Sequence, residues 1–267
     1  MATPAYHGGD ETHRRRACLR VQAPTTALVI ALPTAPWAHY LGDIAAWAGA
    51  AAAARWQHRR WPDQSADIAR ITRPSYFIAL ALGGLVGAWL FGSLNSLRAV
   101  VAAPSHSIAG ALAGAIFAVE LWKWRNGIRQ STGGAFVLPI SVGIAVGRLG
   151  CLFAGMVDYT FGVPTTLPWG IDMGDGIGRH PVALYESLAM TTFAIAFVQA
   201  RLRGARWAVN HGFHAMVLFY AVQRFVWEFL KPYPSLVGPL NIFHLLTVGL
   251  VIYALFWWRR GQPRPAA

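Results

Sequence analysis

Apolar residues along this chain run in long blocks and do not recur every third or fourth position, so few stretches read as one-sided surface helices. About seven blocks, at 37–54, 75–94, 105–124, 135–154, 181–200, 212–230 and 239–258, come close to the roughly 20 helical residues that a hydrocarbon core about 30 Å thick requires. The pattern predicts an all-α polytopic membrane helix bundle of about seven transmembrane helices, forming one domain over 37–258. Residues 1–36 are expected to be an N-terminal extension and 259–267 a tail. Within the extension the apolar run from Ala27 to Ala35 resembles the core of a signal peptide, but Pro33 interrupts it, and an irregular extension is the favoured reading.

The basic residues orient the bundle, because Lys and Arg accumulate on the cytoplasmic side of membrane spans. Arg55, Arg59, Arg60, Arg70 and Arg73 follow the first block; Lys123, Arg125 and Arg129 follow the third. Arg201, Arg203 and Arg206 follow the fifth, and Arg259, Arg260 and Arg264 end the chain. The opposite connections carry mainly Arg98, Arg179 and Lys231. The expectation is an N-terminus outside, a cytoplasmic C-terminus and an outward loop at 155–180. Arg14, Arg15, Arg16 and Arg20 run against it, and they read as an incidental basic patch more readily than as a twin-arginine signal.

Composition agrees with this class: 55% of residues are hydrophobic and 13% charged, which excludes a separate soluble domain. The net charge of +12 then belongs to loops facing anionic headgroups of membrane lipids, and no nucleic acid partner is expected. Cys18 and Cys151 are too distant in sequence to define a disulfide framework or a metal-ligand spacing, and neither metal nor cofactor is expected. Small residues four apart, Gly83 with Gly87 and Gly110 with Gly114, predict close helix packing. No inverted repeat of the transporter kind is visible.

Ionisable groups inside such a chain are costly and concentrate from Gly147 to Glu186. Arg148 has no acidic neighbour at helical spacing, so it needs a distant partner or an anionic ligand; a buried guanidinium suits a phosphate or carboxylate. Arg224 has Glu228 four residues on, the spacing of an intrahelical pair. Glu186 reads as a partner for either arginine. Arg179-His180-Pro181 marks the mouth of the fifth span, with Tyr185 about one turn inside. His39 and Asp43 share a helix face, and Glu120 and Lys123 form an ordinary ion pair. His106 opens the third span as a general base or a solvated interface residue. Asp172 and Asp175 lack the ordered spacing of a calcium loop and predict a turn.

Several of these pieces, in order, resemble the prolipoprotein diacylglyceryl transferase family: Gly147-Arg148-Leu149-Gly150, Gly162-Val163-Pro164-Thr165, Pro168-Trp169, Arg179-His180-Pro181 with Leu184-Tyr185-Glu186, and Arg224 to Lys231. The resemblance covers roughly 37–258 and implies a seven-helix, N-outside protein of the bacterial cytoplasmic (inner) membrane, its site facing the outer leaflet or periplasm. It implies transfer of the diacylglyceryl group of phosphatidylglycerol to the lipobox cysteine of a prolipoprotein signal peptide, with release of glycerol phosphate. Arg148 and Arg224 are then the phosphate-binding and catalytic candidates, with Arg179, Glu186 and Glu228 as further substrate-binding candidates. The acceptor thiol needs a base or a positive potential, and the sequence leaves this open among His180, His106 and Tyr185.

The chain also departs from the family pattern. Cys151 stands where asparagine is usual, Leu41 where a tyrosine falls, and Ala109-Gly110-Ala111 where a His-Gly-Gly run is expected, with His106 three residues earlier. A paralogue serving another acceptor, or a phospholipid-binding or transport protein without turnover, are the alternatives. Cys151 itself reads as a buried small residue, and as an enzyme nucleophile only in second place.

Overall fold

A computed structural model describes residues 30–62, 69, 73–96 and 105–260. Arg14, Arg15, Arg16, Cys18, Arg20, Arg70, Arg98 and Arg264 lie outside the described residues. Among those described, seven long helices fall where the apolar blocks predict them: α1 (Ala38–Arg60), α2 (Pro74–Ser96), α3 (Ile108–Arg125), α4 (Val137–Ala154), α5 (Val182–Leu202), α7 (Gly212–Glu228) and α8 (Ile242–Arg260). A five-residue turn of helix, α6 (Arg206–Asn210), joins α5 to α7. The chain is therefore an all-α polytopic membrane protein.

Four stretches, Pro74–Asn95, Gly133–Asp158, Val182–Leu202 and Ile242–Arg260, are long and apolar enough to cross a membrane by themselves. The others fall short for identifiable reasons. The α7 helix has 17 residues, about 25 Å at 1.5 Å per residue, and it carries Arg224 and Glu228. The 18 residues of α3 include Glu120, Lys123 and Arg125.

The most extensive contacts join α2 with α3, α1 with α4 and α4 with α5; the first two pairs run antiparallel, and small residues set their spacing. On α2 and α3, Gly83 faces the Gly114 carbonyl and Ala118, while Gly87 faces Gly110 and Gly114. Gly42 of α1 lies against the backbone of Gly150 on α4, so these two helices touch where any side chain would separate them. Gly42→Ala is expected to destabilise the protein by about 1–3 kcal/mol or more, because the opposing atoms are backbone and cannot rotate away. Gly143→Ala, whose added carbon meets Ala50 at an ordinary 3.6 Å, is the tolerated comparison. Thermal unfolding of both variants in detergent checks the contrast.

This packing gathers helix ends of one chemistry. The last turns of α1, α3, α5 and α8 carry His58, Arg59 and Arg60, Lys123 and Arg125, Arg201, and Arg259 with Arg260. The opposite end holds the 155–181 loop.

There the segment before α1 is extended: β1 (Ile30–Ala31) pairs in parallel with β2 (Ile171–Asp172), which pairs antiparallel with β3 (Gly178–Arg179). Ile171 and Met173 pack with Cys151, Leu152 and Ala183, which ties this small sheet to α4 and α5. Gly155 ends α4 at φ 72°, the left-handed region that favours glycine. A Cβ on it would also meet Thr34 and the Met173 carbonyl at 2.8 Å. The Asp172 carboxylate accepts hydrogen bonds from the backbone of Gly174, Asp175 and Gly176, the local turn that the sequence predicts.

Candidate active site

Below the loop, α4, α5 and α7 converge on one buried carboxylate. Glu186 of α5 is fully buried, and it ion-pairs with Arg148 of α4, with Arg224 of α7 and, at 3.0 Å, with Lys231 just beyond α7. Glu228 pairs with Arg224 at 3.0 Å and accepts a hydrogen bond from Asn241 Nδ2 at 3.1 Å. The distant partner that Arg148 needs is thus Glu186, 38 residues away in sequence, and the Arg224 to Glu228 pair forms at the spacing that suggests it.

Three cations against two carboxylates leave the cluster with one excess positive charge in a dry environment. A desolvated positive centre of this kind attracts an anion far more strongly than the same charges would in water. Arg148 spends its Nε on Glu186 and one terminal nitrogen on the Cys151 sulfur at 3.7 Å. A guanidinium has five N–H donors, so further donors of Arg148 remain for an incoming oxyanion.

The loop residues are arranged around a second set of contacts. Tyr185 Oη accepts a hydrogen bond from Trp169 Nε1 at 2.8 Å and lies 3.4 Å from His180 Nδ1. The Tyr185 ring also contacts Trp227 of α7, with centroids 5.2 Å apart. Tyr185 therefore links the Pro168-Trp169 loop to Trp227, the residue before Glu228. Arg179 turns into the loop, donating to Asp175 Oδ2 at 2.9 and 2.6 Å and to the Gly162 carbonyl at 3.2 Å. Its hydrogen bonds hold the Asp175 carboxyl below the usual carboxylate range. His106 sits exposed at the start of α3 and shares no contact with the arginine cluster.

Two contributors were not singled out from sequence. Lys231 stood there as a loop cation and as the end of the Arg224 to Lys231 match, with no role in the site; its three-residue separation from Glu228 returns it to the same centre, where it is buried. Asn241 has a clearer signal, since asparagine just before an apolar run is a helix cap. Its Oδ1 accepts from the backbone of Phe243 and His244 at 2.9 and 3.2 Å, while its amide nitrogen holds Glu228. Asn241→Ala removes the cap and one donor to a buried carboxylate together, and a loss of about 1–3 kcal/mol is expected. A lowered midpoint of thermal unfolding in detergent is the readout.

A cavity of about 730 Å³ opens between α1, α2, α3 and α4. Its walls are mainly apolar, with Leu80, Leu85, Leu112 and Ile144 among them, and it reaches Gly147, the neighbour of Arg148. A long hydrocarbon chain fits such a space.

The family model described as prolipoprotein diacylglyceryl transferase matches residues 39–260. The phosphatidylglycerol–prolipoprotein diacylglyceryl transferase of Coxiella burnetii (strain Dugway 5J108-111) is 30% identical over 248 residues, covering 85% of this chain and 90% of that protein. The enzyme of the same name from Nitratidesulfovibrio vulgaris (strain DP4) is 32% identical over 190 residues, covering 66% and 68%. That of Finegoldia magna is 31% identical over 118 residues, covering 44% and 45%.

Proposed function

The chain belongs to the prolipoprotein diacylglyceryl transferase family, and from that membership we infer that it transfers the diacylglyceryl group of phosphatidylglycerol to a prolipoprotein thiol, releasing glycerol phosphate. The observation that carries the reading at the level of residues is the buried centre of Arg148, Arg224 and Lys231 around Glu186. The bond that breaks joins a glyceryl carbon to a phosphate oxygen, so negative charge grows on the phosphate as it leaves. Donors fixed in a water-poor site stabilise such charge without having to reorganise.

Arg148 and Arg224 hold the phosphate of the headgroup in this account. Glu186 fixes both guanidinium planes before the lipid arrives, and Glu228 orients Arg224 from its other side. The cavity reaching Gly147 takes an acyl chain, which places the glyceryl carbon near Arg148. Tyr185, His180 and Trp169 cover the centre from the loop and form the edge past which the lipobox peptide enters; Arg179 stiffens that loop through Asp175. The loop end faces the outer leaflet or periplasm of a bacterial inner membrane, the seven long helices span it, and the basic helix ends lie in the cytoplasm.

The test is full-length protein in phosphatidylglycerol vesicles with a lipobox peptide, with products identified by mass. A thioether-linked diacylglyceryl peptide together with glycerol phosphate is the expected result. Lipid turnover without the thioether indicates another acceptor, and binding without turnover removes the enzymatic reading.

A further inference from the structure

A thiol with an ordinary pKa near 8.5 attacks carbon only as thiolate, and the fold assembles a group of side chains suited to that task beside Arg148. His39 of α1, Cys151 of α4 and Asp158 of the turn after α4 place one ligand atom each within 4.8 Å of one another. His39 Nδ1 lies 2.7 Å from Asp158 Oδ1. Around these three stand further partners: Thr160 Oγ1 donates to Asp158 Oδ2 at 2.8 Å, and His39 Nε2 faces Asp43 Oδ2 at 3.4 Å. The Cys151 sulfur is 3.7 Å from an Arg148 terminal nitrogen.

We propose that His39 Nδ1, Cys151 Sγ and Asp158 Oδ1 bind one Zn²⁺, and that the open coordination position of this ion takes the acceptor thiol as thiolate. One nitrogen, one sulfur and one oxygen suit a borderline-soft divalent ion, and three protein ligands with one open position are the usual arrangement of a catalytic zinc. The surroundings match as well, since metal-bound histidines commonly pass their other N–H to a carboxylate and bound carboxylates are themselves hydrogen-bonded. Asp43 and Thr160 occupy those two positions.

Two physical objections decide in favour of the ion. Zinc bonds of about 2.0–2.2 Å to nitrogen and oxygen at tetrahedral angles separate those atoms by about 3.3 Å, so Nδ1 and Oδ1 need to part by only about half an ångström. Arg148 opposes a nearby cation, yet a Cys151 thiolate and the Asp158 carboxylate neutralise the two charges of the ion. The simpler reading, His39 as a free general base, fits less well because both its ring nitrogens already face carboxylates.

The catalytic part of the proposal rests on the transferase reading, whereas metal binding does not. In the reaction the acceptor thiol loses its proton to solvent as its sulfur binds the ion. The sulfur then attacks the glyceryl carbon, a C–S bond forms, and the C–O bond breaks with its electron pair leaving on glycerol phosphate. The neutral thioether is a weaker ligand than the thiolate and departs.

Full-length protein without a histidine tag, purified in detergent and exposed to Zn²⁺, is expected to retain one equivalent after gel filtration. With Co²⁺ as the probe, a near-ultraviolet thiolate-to-metal absorption is expected, and Cys151→Ser is expected to abolish it. Asp43→Asn, which touches no ligand atom except through His39, is expected to weaken Zn²⁺ binding about 10- to 100-fold. Failure to retain Zn²⁺, or a thiolate absorption that persists in Cys151→Ser, overturns the site. Peptide lipidation that falls on chelation and returns with Zn²⁺ supports thiol activation, and lipidation indifferent to chelation overturns it. Stoichiometric Zn²⁺ with no lipidation under any condition leaves the site standing and counts against the transferase reading.

Discussion

Glu186→Ala is expected to leave little folded protein. In the intact molecule this one carboxylate faces Arg148, Arg224 and Lys231, all buried. Without it only Glu228 remains, and the excess charge of the centre rises from one to two. Removing one partner of a buried ion pair costs about 3–5 kcal/mol, because the desolvated charge left behind keeps its penalty and loses its compensation. Here Arg148 and Lys231 are stranded together beside the surviving Arg224 to Glu228 pair, so the upper end of that range applies. Set against a typical total stability of about 5–15 kcal/mol, the loss is a large fraction of the whole. The measurement is monodisperse yield and thermal unfolding in detergent, and a wild-type melting temperature for Glu186→Ala contradicts the role given to the cluster.

Arg148→Ala is expected to behave in the opposite way, keeping the fold and losing the reaction. Glu186 still has Arg224 and Lys231, and Glu228 still has Arg224 and Asn241, so two cations face two carboxylates and no buried charge is left uncompensated. The positive excess that draws the headgroup phosphate is gone. Removing one fixed donor from a site of developing negative charge typically costs about 10²–10³ in rate; removing the charge with it puts the expected loss at or beyond that range. Arg148→Lys recovers little, since an ammonium restores the charge but not the planar fork. A rate within a few-fold of wild type for Arg148→Ala contradicts the assignment.

The contrast between these two substitutions was partly legible in the sequence. The apolar blocks locate the seven long helices because burial in hydrocarbon acts on composition alone. The Arg224 to Glu228 pair is legible because four residues along a helix fix a shared face. Arg148 is legible as a problem, a buried charge lacking a local partner, but its solution in Glu186 depends on how α4 packs against α5. The same holds at the loop end. Nothing in the spacing joins Ile30 to Ile171, or brings His39 to Asp158 and Cys151, since each contact crosses more than one hundred residues or an entire helix pair. Arg179 shows the converse: its position at a helix mouth suggests a ligand, and the fold gives it Asp175 four residues away. Metal ligands drawn from α1, α4 and a following turn have no sequence spacing to betray them.

The most direct test of the central claim is lipidation of a lipobox peptide in phosphatidylglycerol vesicles by wild-type protein and by Arg148→Ala, with thermal unfolding measured on both. The account predicts that the wild type forms the thioether and releases glycerol phosphate. It also predicts that Arg148→Ala loses at least about 10²-fold in rate while unfolding at nearly the same temperature. Equal rates for the two proteins, or a folded wild type that binds the lipid and forms no thioether, contradict it.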